Sequence, residues 1–182
     1  MNRLGMIVDL SHAGKQTCIE AIELSNKPVA ISHANPTFFH KSIRNIDNDV
    51  LKQLANKNGF IGLSLYPYHL KNLGECTAEE FCSMIKELIN LIGEDNIGIG
   101  SDLCLNWPDD VVMWMRNGKW TKKIDYGESK DKNPKWPKLP SWYKQPSDLK
   151  NLFTTMCKNN ISEKVAAKIV GENWFNFMKN QF

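Results

Sequence analysis

The sequence predicts an α/β protein in which helices cover a parallel sheet, and two observations support this class. Short apolar runs alternate with amphipathic stretches through the first hundred residues, and this alternation is typical of strand–helix units. The runs are apolar on both faces, as expected of parallel strands buried beneath helices. Four such units would suffice for an open sheet, and they are also half of an eight-unit (β/α)8 barrel.

The expected elements can be placed in order along the chain. A helix follows the first strand, a second begins at Asp47, and a third begins at a capping box formed by Thr77 and Glu80 and ends at Gly93. Two helices close the chain, one beginning near Ser147 or Asp148 and one capped by Ser162 and running towards Phe177. The four parallel strands are expected at residues 5–10, 28–32, 60–65 and 96–100.

Residues 104–146 interrupt this alternation within what we predict to be a single partial-barrel domain, residues 1–182. They contain five of the six tryptophans. So long a stretch without clear elements is usually functional or disordered, and its aromatic content argues against disorder. We interpret it as a packed lid or partner surface; the alternative, given equal weight, is a structural insertion with no role in chemistry.

Composition excludes several classes of partner. The net charge is only +3, and the basic residues are dispersed among acids, so neither nucleic acid nor an anionic membrane is expected. No apolar run approaches the roughly 20 residues of a membrane span. The absence of a signal-peptide pattern favours a cytoplasmic location. The five cysteines are irregularly spaced, which predicts reduced, buried thiols rather than a disulfide framework.

Polar side chains follow three of the predicted strands: His12 the first, His33 the second and Asp102 the fourth. Catalytic groups in barrels and open α/β sheets lie at these strand ends. Because neighbouring strands are about 4.8 Å apart, the two imidazoles can converge on a zinc ion, which binds histidine nitrogen at about 2.0–2.1 Å. Asp102 would be a proton-transfer group or another ligand. His40 is expected to be structural or close to substrate, and His69 is assigned no role.

Either histidine alone would more often be a hydrogen-bonded structural residue. The metal-site hypothesis depends on their repetition at corresponding strand ends, with an acid at a third.

The motifs around these residues resemble those of the renal (membrane) dipeptidase family, which are metallopeptidases of the amidohydrolase type. Each motif is short, but five in register are specific, and together they cover almost the whole chain. They are Val8-Asp-Leu-Ser-His12, Ile31-Ser-His-Ala-Asn35, Arg44-Asn45 with Asp47 following, Ile99-Gly-Ser-Asp102 and the closing Gly171-Glu-Asn-Trp174, with Pro140-Ser-Trp142 similar to bacterial members.

The resemblance implies that the chain is the carboxy-terminal half of a (β/α)8 TIM barrel holding two zinc ions. His12 and His33 match two zinc-binding histidines of the family. Arg44 matches the arginine that binds the terminal carboxylate of the substrate, and Asp102 matches the acid that moves protons. The implied reaction is hydrolysis of a dipeptide amide bond by a metal-bound hydroxide.

One departure from the family pattern limits this expectation. The family also uses a His-x-Asp pair and a metal-bridging glutamate, both ahead of the motifs found here, and this sequence has no His-x-Asp. We therefore expect weak or single-ion zinc binding, and no activity from the isolated chain. Two alternatives stay open. One is a non-catalytic half-barrel that pairs with a complementary amino-terminal half or with a second copy of itself. The other is a different metal-dependent amidohydrolase, such as a deacetylase or lactamase.

Overall fold

The computed structural model describes residues 1–116 and 135–181. It divides the chain into two compact units. The first comprises Met1–Leu103 and Leu139–Phe182, and the second comprises Cys104–Lys138. All of the predicted site residues belong to the first unit.

A three-stranded parallel sheet lies at the centre of the first unit. Its strands are β1 (Ala30–Ala34), β2 (Phe60–Leu63) and β3 (Ile97–Ile99), in the order β1-β2-β3. All four residues of the central strand are buried, as expected for a parallel strand covered on both faces. The prediction of a parallel sheet covered by helices is confirmed.

The prediction of a full strand at residues 5–10 is wrong. This segment makes a single parallel bridge, between Asp9 and Ala30, in which Leu10 N donates to Ala30 O at 2.8 Å. The local backbone explains why the pairing is so short. A 3₁₀ turn at Asn2–Leu4 precedes it, and Ala13 N donates back to Leu10 O at 3.0 Å. Only the few residues between these turns are extended enough to pair with β1.

Three helices pack on the sheet within the first hundred residues: α1 (Lys15–Leu24), α2 (Asn48–Asn56) and α3 (Ala78–Ile92). The capping box that opens α3 is confirmed, because Thr77 accepts from Glu80 N while Glu80 accepts from Thr77 N. Gly93 ends the helix with φ 83°, a conformation that glycine adopts without steric cost. Asp47 stands at the N-cap of α2, but its carboxylate accepts from Lys15 and Thr37 instead of from the helix.

Helix α4 (Asp109–Arg116) lies in the second unit.

The two predicted closing helices are present, but the second is interrupted. The first, α5 (Leu149–Lys158), begins next to the predicted Asp148. The Ser162 cap is confirmed by its bond from Val165 N. The helix it opens is interrupted: α6 (Glu163–Ala167) and α7 (Asn173–Lys179) are separated by a π-helical turn at Lys168–Glu172.

Polar contacts explain why the chain resumes as α7. The buried Asn173 side chain donates to Glu94 O at 2.7 Å and to Ile97 O at 2.8 Å. Trp174 Nε1 donates to Ile99 O at 2.8 Å. These bonds fasten the closing helix to both ends of β3, and they account for the Gly-x-Asn-Trp motif as a structural anchor.

The end of the tryptophan-rich segment is part of the first unit's core. Tyr143 is buried, and Trp142 Nε1 donates to the carbonyl of Cys76 at 2.8 Å. Residues 117–134, which include Trp120, lie outside the described residues. The interpretation of 104–146 as a lid or partner surface therefore stays a prediction. Among the helices of residues 1–116 and 135–181, none is long and apolar enough to cross a membrane.

All five cysteines are free thiols, of which Cys18, Cys76 and Cys82 are buried and Cys104 is exposed. Burial raises the pKa of Cys76 and of Cys82 to about 12. At pH 8 only about one in 10,000 such thiols is ionised, and the thiolate is the reactive form. We expect iodoacetamide to label Cys104 first and these two thiols at least about 100-fold more slowly, as peptide mass spectrometry of the native chain can measure. Equal labelling of all five before unfolding would contradict the buried core described here.

Candidate metal and catalytic site

The structure brings His12 and His33 together at the carboxyl ends of neighbouring segments of the sheet. Their Nε2 atoms are 3.1 Å apart and their ring centroids 5.1 Å apart. Two imidazole nitrogens bound to one tetrahedral zinc stand about 3.3 Å apart, given bonds of about 2.0–2.1 Å. The separation therefore matches that of two ligands on a single ion.

A bulge in β1 gives His33 its position. Ile31 pairs with Ile61 and Ala34 pairs with Leu63, so that Ser32 and His33 together lie opposite the single residue Gly62. Bulges of this kind redirect side chains next to functional sites. The bulge also brings the Ser32 carbonyl close to two glycines, since a Cβ at Gly62 would lie 2.2 Å from Ser32 O and one at Gly100 1.7 Å from it. Side chains at these two positions would collide with the bulge.

Asp9 connects the segment that carries His12 to the strand that carries His33. Its Oδ1 accepts from Ser11 N at 3.1 Å, from Ser11 Oγ at 2.7 Å and from Ser32 N at 2.9 Å. Its Oδ2 accepts from Ser32 Oγ at 2.6 Å. Partial burial opposes ionisation of Asp9, but the bonds from Ser32 and Ser11 outweigh this effect, so its pKa lies below the ordinary value. Asp9 is therefore a carboxylate at neutral pH.

Arg44 lies directly against the histidine pair. One terminal nitrogen of its guanidinium donates to the carbonyl of Ser11, and the other is 3.3 Å from Nε2 of His12. Because a guanidinium has only donors, this contact requires that His12 Nε2 accept through its lone pair. His12 thus presents the nitrogen lone pair that a metal ion needs.

The loop that carries Arg44 is fastened by a buried amide network. Asn45 Nδ2 donates to His40 O and to His69 O, and Asn45 Oδ1 accepts from Asn35 N. Asn35, just beyond β1, also exchanges bonds with both backbone groups of Ser64 beyond β2. These fully paired amides hold the loop against the strand ends.

The electrostatic surroundings favour neutral His12. Burial, followed by the charge of Arg44 and the proximity of His33, lowers the pKa of His12, while Asp102 and Asp9 act in the opposite direction. A histidine with a lowered pKa is unprotonated over more of the neutral range, and a neutral imidazole is the form that binds metal.

Asp102 follows β3 in the left-handed region, with φ 53°. Asp is one of the few residues that tolerate this conformation, and such residues cluster at active sites. The carboxylate acts on His12 through its charge. His12 thus contacts both His33 and Arg44, and Asp102 lies near enough to act on His12 through its charge.

The donor set here is small. Within residues 1–116 and 135–181, no group of three or more His, Cys, Asp or Glu side chains is arranged to hold a metal ion. The two histidines fit zinc by separation and by donor type, and they are two donors where a catalytic zinc usually has three protein ligands.

A cavity of about 370 Å³ is lined in part by Arg44. Lys15, Lys41, Ser42 and Asp47 are among its lining residues. Two of these groups are already paired, since Lys15 lies 2.9 Å from Asp47. The cavity is therefore a recess beside the arginine with a mixed polar and apolar lining.

Asp9, Ser11 and Ser32 were not predicted to be site residues, although they lie in the motifs that carry the histidines. The sequence feature that could have identified them is the spacing. The motifs Asp-x-Ser-His in one segment and Ser-His in the next place two serine hydroxyls beside one carboxylate. His69, to which no role was assigned, is buried, and its Nδ1 lies 2.8 Å from Ser64 Oγ. Its carbonyl supports the loop of Arg44.

Comparison with known proteins identifies similar chains. A sequence model of the membrane dipeptidase family, peptidase family M19, matches residues 1–109. The dipeptidase tcpJ of Claviceps purpurea is 36% identical over an alignment of 138 residues, which covers 69% of this chain and 32% of that protein. The chain therefore spans about a third of the length of this curated relative.

Two solved structures are similar to the whole chain. An amidohydrolase from Pseudomonas aeruginosa is 31% identical, with a TM-score of 0.87 over 100% of this chain and 54% of that one. A metallopeptidase from Rhodobacter sphaeroides, liganded with a phosphinate mimic of the dipeptide L-Ala-D-Ala, is 23% identical, with a TM-score of 0.74 over 100% of this chain and 44% of that one. The second likeness concerns the fold alone.

Proposed function

The chain belongs to the membrane dipeptidase family, peptidase family M19, a family of metallopeptidases, and from this premise we propose that it carries half of a zinc-dependent dipeptidase site. The observation that carries the proposal is the 3.1 Å separation of His12 Nε2 and His33 Nε2, which suits two ligands of one zinc ion. The reaction would be hydrolysis of the amide bond of a dipeptide.

His12 and His33 would hold the metal. Zinc, when bound, supplies a Lewis acid that polarises a carbonyl oxygen and lowers the pKa of a coordinated water to about 7. The protein's own part is to favour neutral His12 and to keep the Nε2 atoms of both imidazoles convergent. Burial and the charge of Arg44 serve the first purpose at His12, and the bulge in β1 serves the second at His33.

Arg44 and Asp102 would act on the substrate. A guanidinium is a fork of donors that matches a carboxylate, so Arg44 is suited to binding the terminal carboxylate of a dipeptide. A metal ion on His12 would take the lone pair that Arg44 now contacts. Asp102, the only one of the four that can accept a proton as a carboxylate, would pass it to the departing amine.

We also propose that the chain is the carboxy-terminal half of a (β/α)8 barrel. The support is its coverage of 54% of the Pseudomonas aeruginosa amidohydrolase at a TM-score of 0.87. Two histidines are too few ligands for a pair of zinc ions. We therefore expect the isolated chain to bind zinc without turning over dipeptides, and appreciable hydrolysis by the zinc-loaded chain would contradict this part of the proposal.

Dipeptide binding tests the proposed role of Arg44 without requiring turnover. Replacing Arg44 by alanine should weaken binding of a dipeptide to the zinc-saturated chain about 10- to 100-fold, because a hydrogen bond to a charged group contributes about 1.5–3 kcal/mol. The same substitution should leave binding of the dipeptide amide unchanged, since that molecule has no carboxylate. NMR shift titration of both molecules measures the difference.

Arg3→Ala is the matched control, because Arg3 lies in the turn at Asn2–Leu4 and outside the site. It should bind both molecules as the unmodified chain does. If Arg44→Ala weakened binding of dipeptide and amide equally, the arginine would have a structural role and its assignment as the carboxylate-binding residue would fail. Preferential binding of the amide by the unmodified chain would instead favour another amidohydrolase activity.

A further inference from the structure

We propose that Asp9 is a positioning residue that sets the tautomer of His33 through the hydroxyl of Ser32. The inference concerns a carboxylate that does not reach either histidine directly. The function of this tautomer rests on the proposed metal-binding role of His33, whereas the first experiment below is done without metal.

Four hydrogen-bond donors surround the carboxylate of Asp9. Two backbone amides and two hydroxyls point at its two oxygens, and the hydroxyl contacts are short, at 2.7 Å from Ser11 Oγ and 2.6 Å from Ser32 Oγ. A carboxylate only accepts, and short contacts of this kind are typical of charge-assisted hydrogen bonds. Each hydroxyl has a single proton. The two hydroxyls also lie 2.9 Å from each other, and either could donate in that contact. The Ser32 proton goes to Asp9, because the 2.6 Å contact with this carboxylate is the shortest that the Ser32 hydroxyl makes.

The direction of the remaining bonds follows. Ser32 Oγ lies 2.8 Å from His33 Nδ1, and with its proton committed to Asp9 it can only accept there. His33 must then carry its proton on Nδ1, which leaves the Nε2 lone pair free. Ser11 Oγ in turn accepts from His33 N at 3.0 Å, so that the same carboxylate also fixes the backbone of the histidine through the second hydroxyl.

The outcome of this arrangement is a pair of acceptors that face one another. His12 Nε2 accepts from Arg44, and His33 Nε2 has no proton to offer across the 3.1 Å between the rings. Two lone pairs at this distance repel unless a cation lies between them. Asp9 thereby turns the two histidines from a hydrogen-bonded pair into a cation site, which is the action expected of outer groups that orient metal ligands.

The first experiment reads the tautomer in the metal-free chain by long-range ¹H–¹⁵N NMR at pH 8. His33 should be in the Nδ1–H form. In Asp9→Asn the new amide can donate to Ser32 Oγ and release its proton towards His33, so the Nε2–H form should appear. Ser32→Ala should lose the Nδ1–H preference, and Ser32→Thr, which keeps the hydroxyl, should retain it.

Asp148→Asn is the matched control, because Asp148 also accepts from two backbone amides, Lys144 N and Gln145 N, at the start of a helix. It should leave the His33 signals unchanged. Thermal unfolding of each variant separates the tautomer effect from loss of stability. An Nε2–H tautomer in the unmodified chain, or an Nδ1–H tautomer in Asp9→Asn, would overturn the proposal.

The second experiment measures zinc binding by calorimetry. Asp9→Asn and Ser32→Ala should weaken zinc binding about 10- to 100-fold, the usual effect of losing an outer-shell partner, and Ser32→Thr should stay within about threefold. If the tautomers respond as expected while the unmodified chain binds no zinc, the relay is supported and the proposed metal function fails. If the unmodified chain binds zinc and every variant binds it with equal affinity, Asp9 is not a positioning residue for the metal site.

Discussion

Replacing His33 by alanine is expected to weaken zinc binding to this chain about 100-fold or more. Four-ligand structural zinc sites bind with about 10–16 kcal/mol, or roughly 2.5–4 kcal/mol for each ligand. Two histidines would then give the unmodified chain a zinc Kd between about 1 μM and 0.2 mM. Removal of one ligand leaves a single imidazole, and calorimetric titration should report millimolar binding or none.

His12→Ala should have the same effect, because both Nε2 atoms are required for the convergence at 3.1 Å. His40→Ala is the control, since His40 takes part in the Asn45 network through its backbone carbonyl, which alanine keeps. Zinc affinity that is unchanged in both His12→Ala and His33→Ala would refute the proposed site and point to adventitious binding elsewhere.

Replacing Gly100 by alanine is expected to destabilise the chain by about 3 kcal/mol or more, at the upper end of the usual cost of overpacking. The added Cβ would lie 1.7 Å from the carbonyl oxygen of Ser32, and a strand carbonyl cannot move as a flexible side-chain end can. Relief requires that the bulge in β1 shift. Since that bulge positions His33, zinc affinity should fall as well, by about tenfold.

Gly171→Ala is the matched control, because an added Cβ there meets no atom within 4 Å. Alanine in the π-helical turn should leave stability unchanged or raise it slightly. Urea unfolding of both variants gives the comparison. Equal stability of Gly100→Ala and the unmodified chain would show that the strands are not held as closely as described here.

The bulge explains why part of the site could not be foreseen from the sequence. An alternating or continuous apolar pattern predicts a strand, but it does not indicate where one strand has an extra residue opposite its neighbour. Ser32 and His33 were expected at the end of the second strand, and they lie within β1, opposite Gly62. The proximity of Ser32 O to Gly62 and Gly100 depends on the register of three strands, which no single segment determines.

The first strand illustrates the same distinction. Its apolar residues predicted a full strand, whereas pairing to β1 is confined to one bridge at Asp9. An apolar run predicts that a segment is buried. The number of its residues that pair with the neighbouring strand depends on the turns before and after the segment. Local signals were reliable where the physics is local, as at the Thr77 capping box, the Ser162 cap and the Gly93 end of α3.

The sequence by itself determined the α/β class, the parallel sheet and the candidate set of His12, His33, Arg44 and Asp102. It could do so because strand ends are recognisable from local apolar runs, and because parallel strands bring their carboxyl ends to one edge. Only the tertiary structure decided that Asp9 and two serines stand behind His33, and that Arg44 lies against His12. Those relations join residues more than 20 positions apart, and the direction of each hydrogen bond depends on how all the donors around one carboxylate are shared.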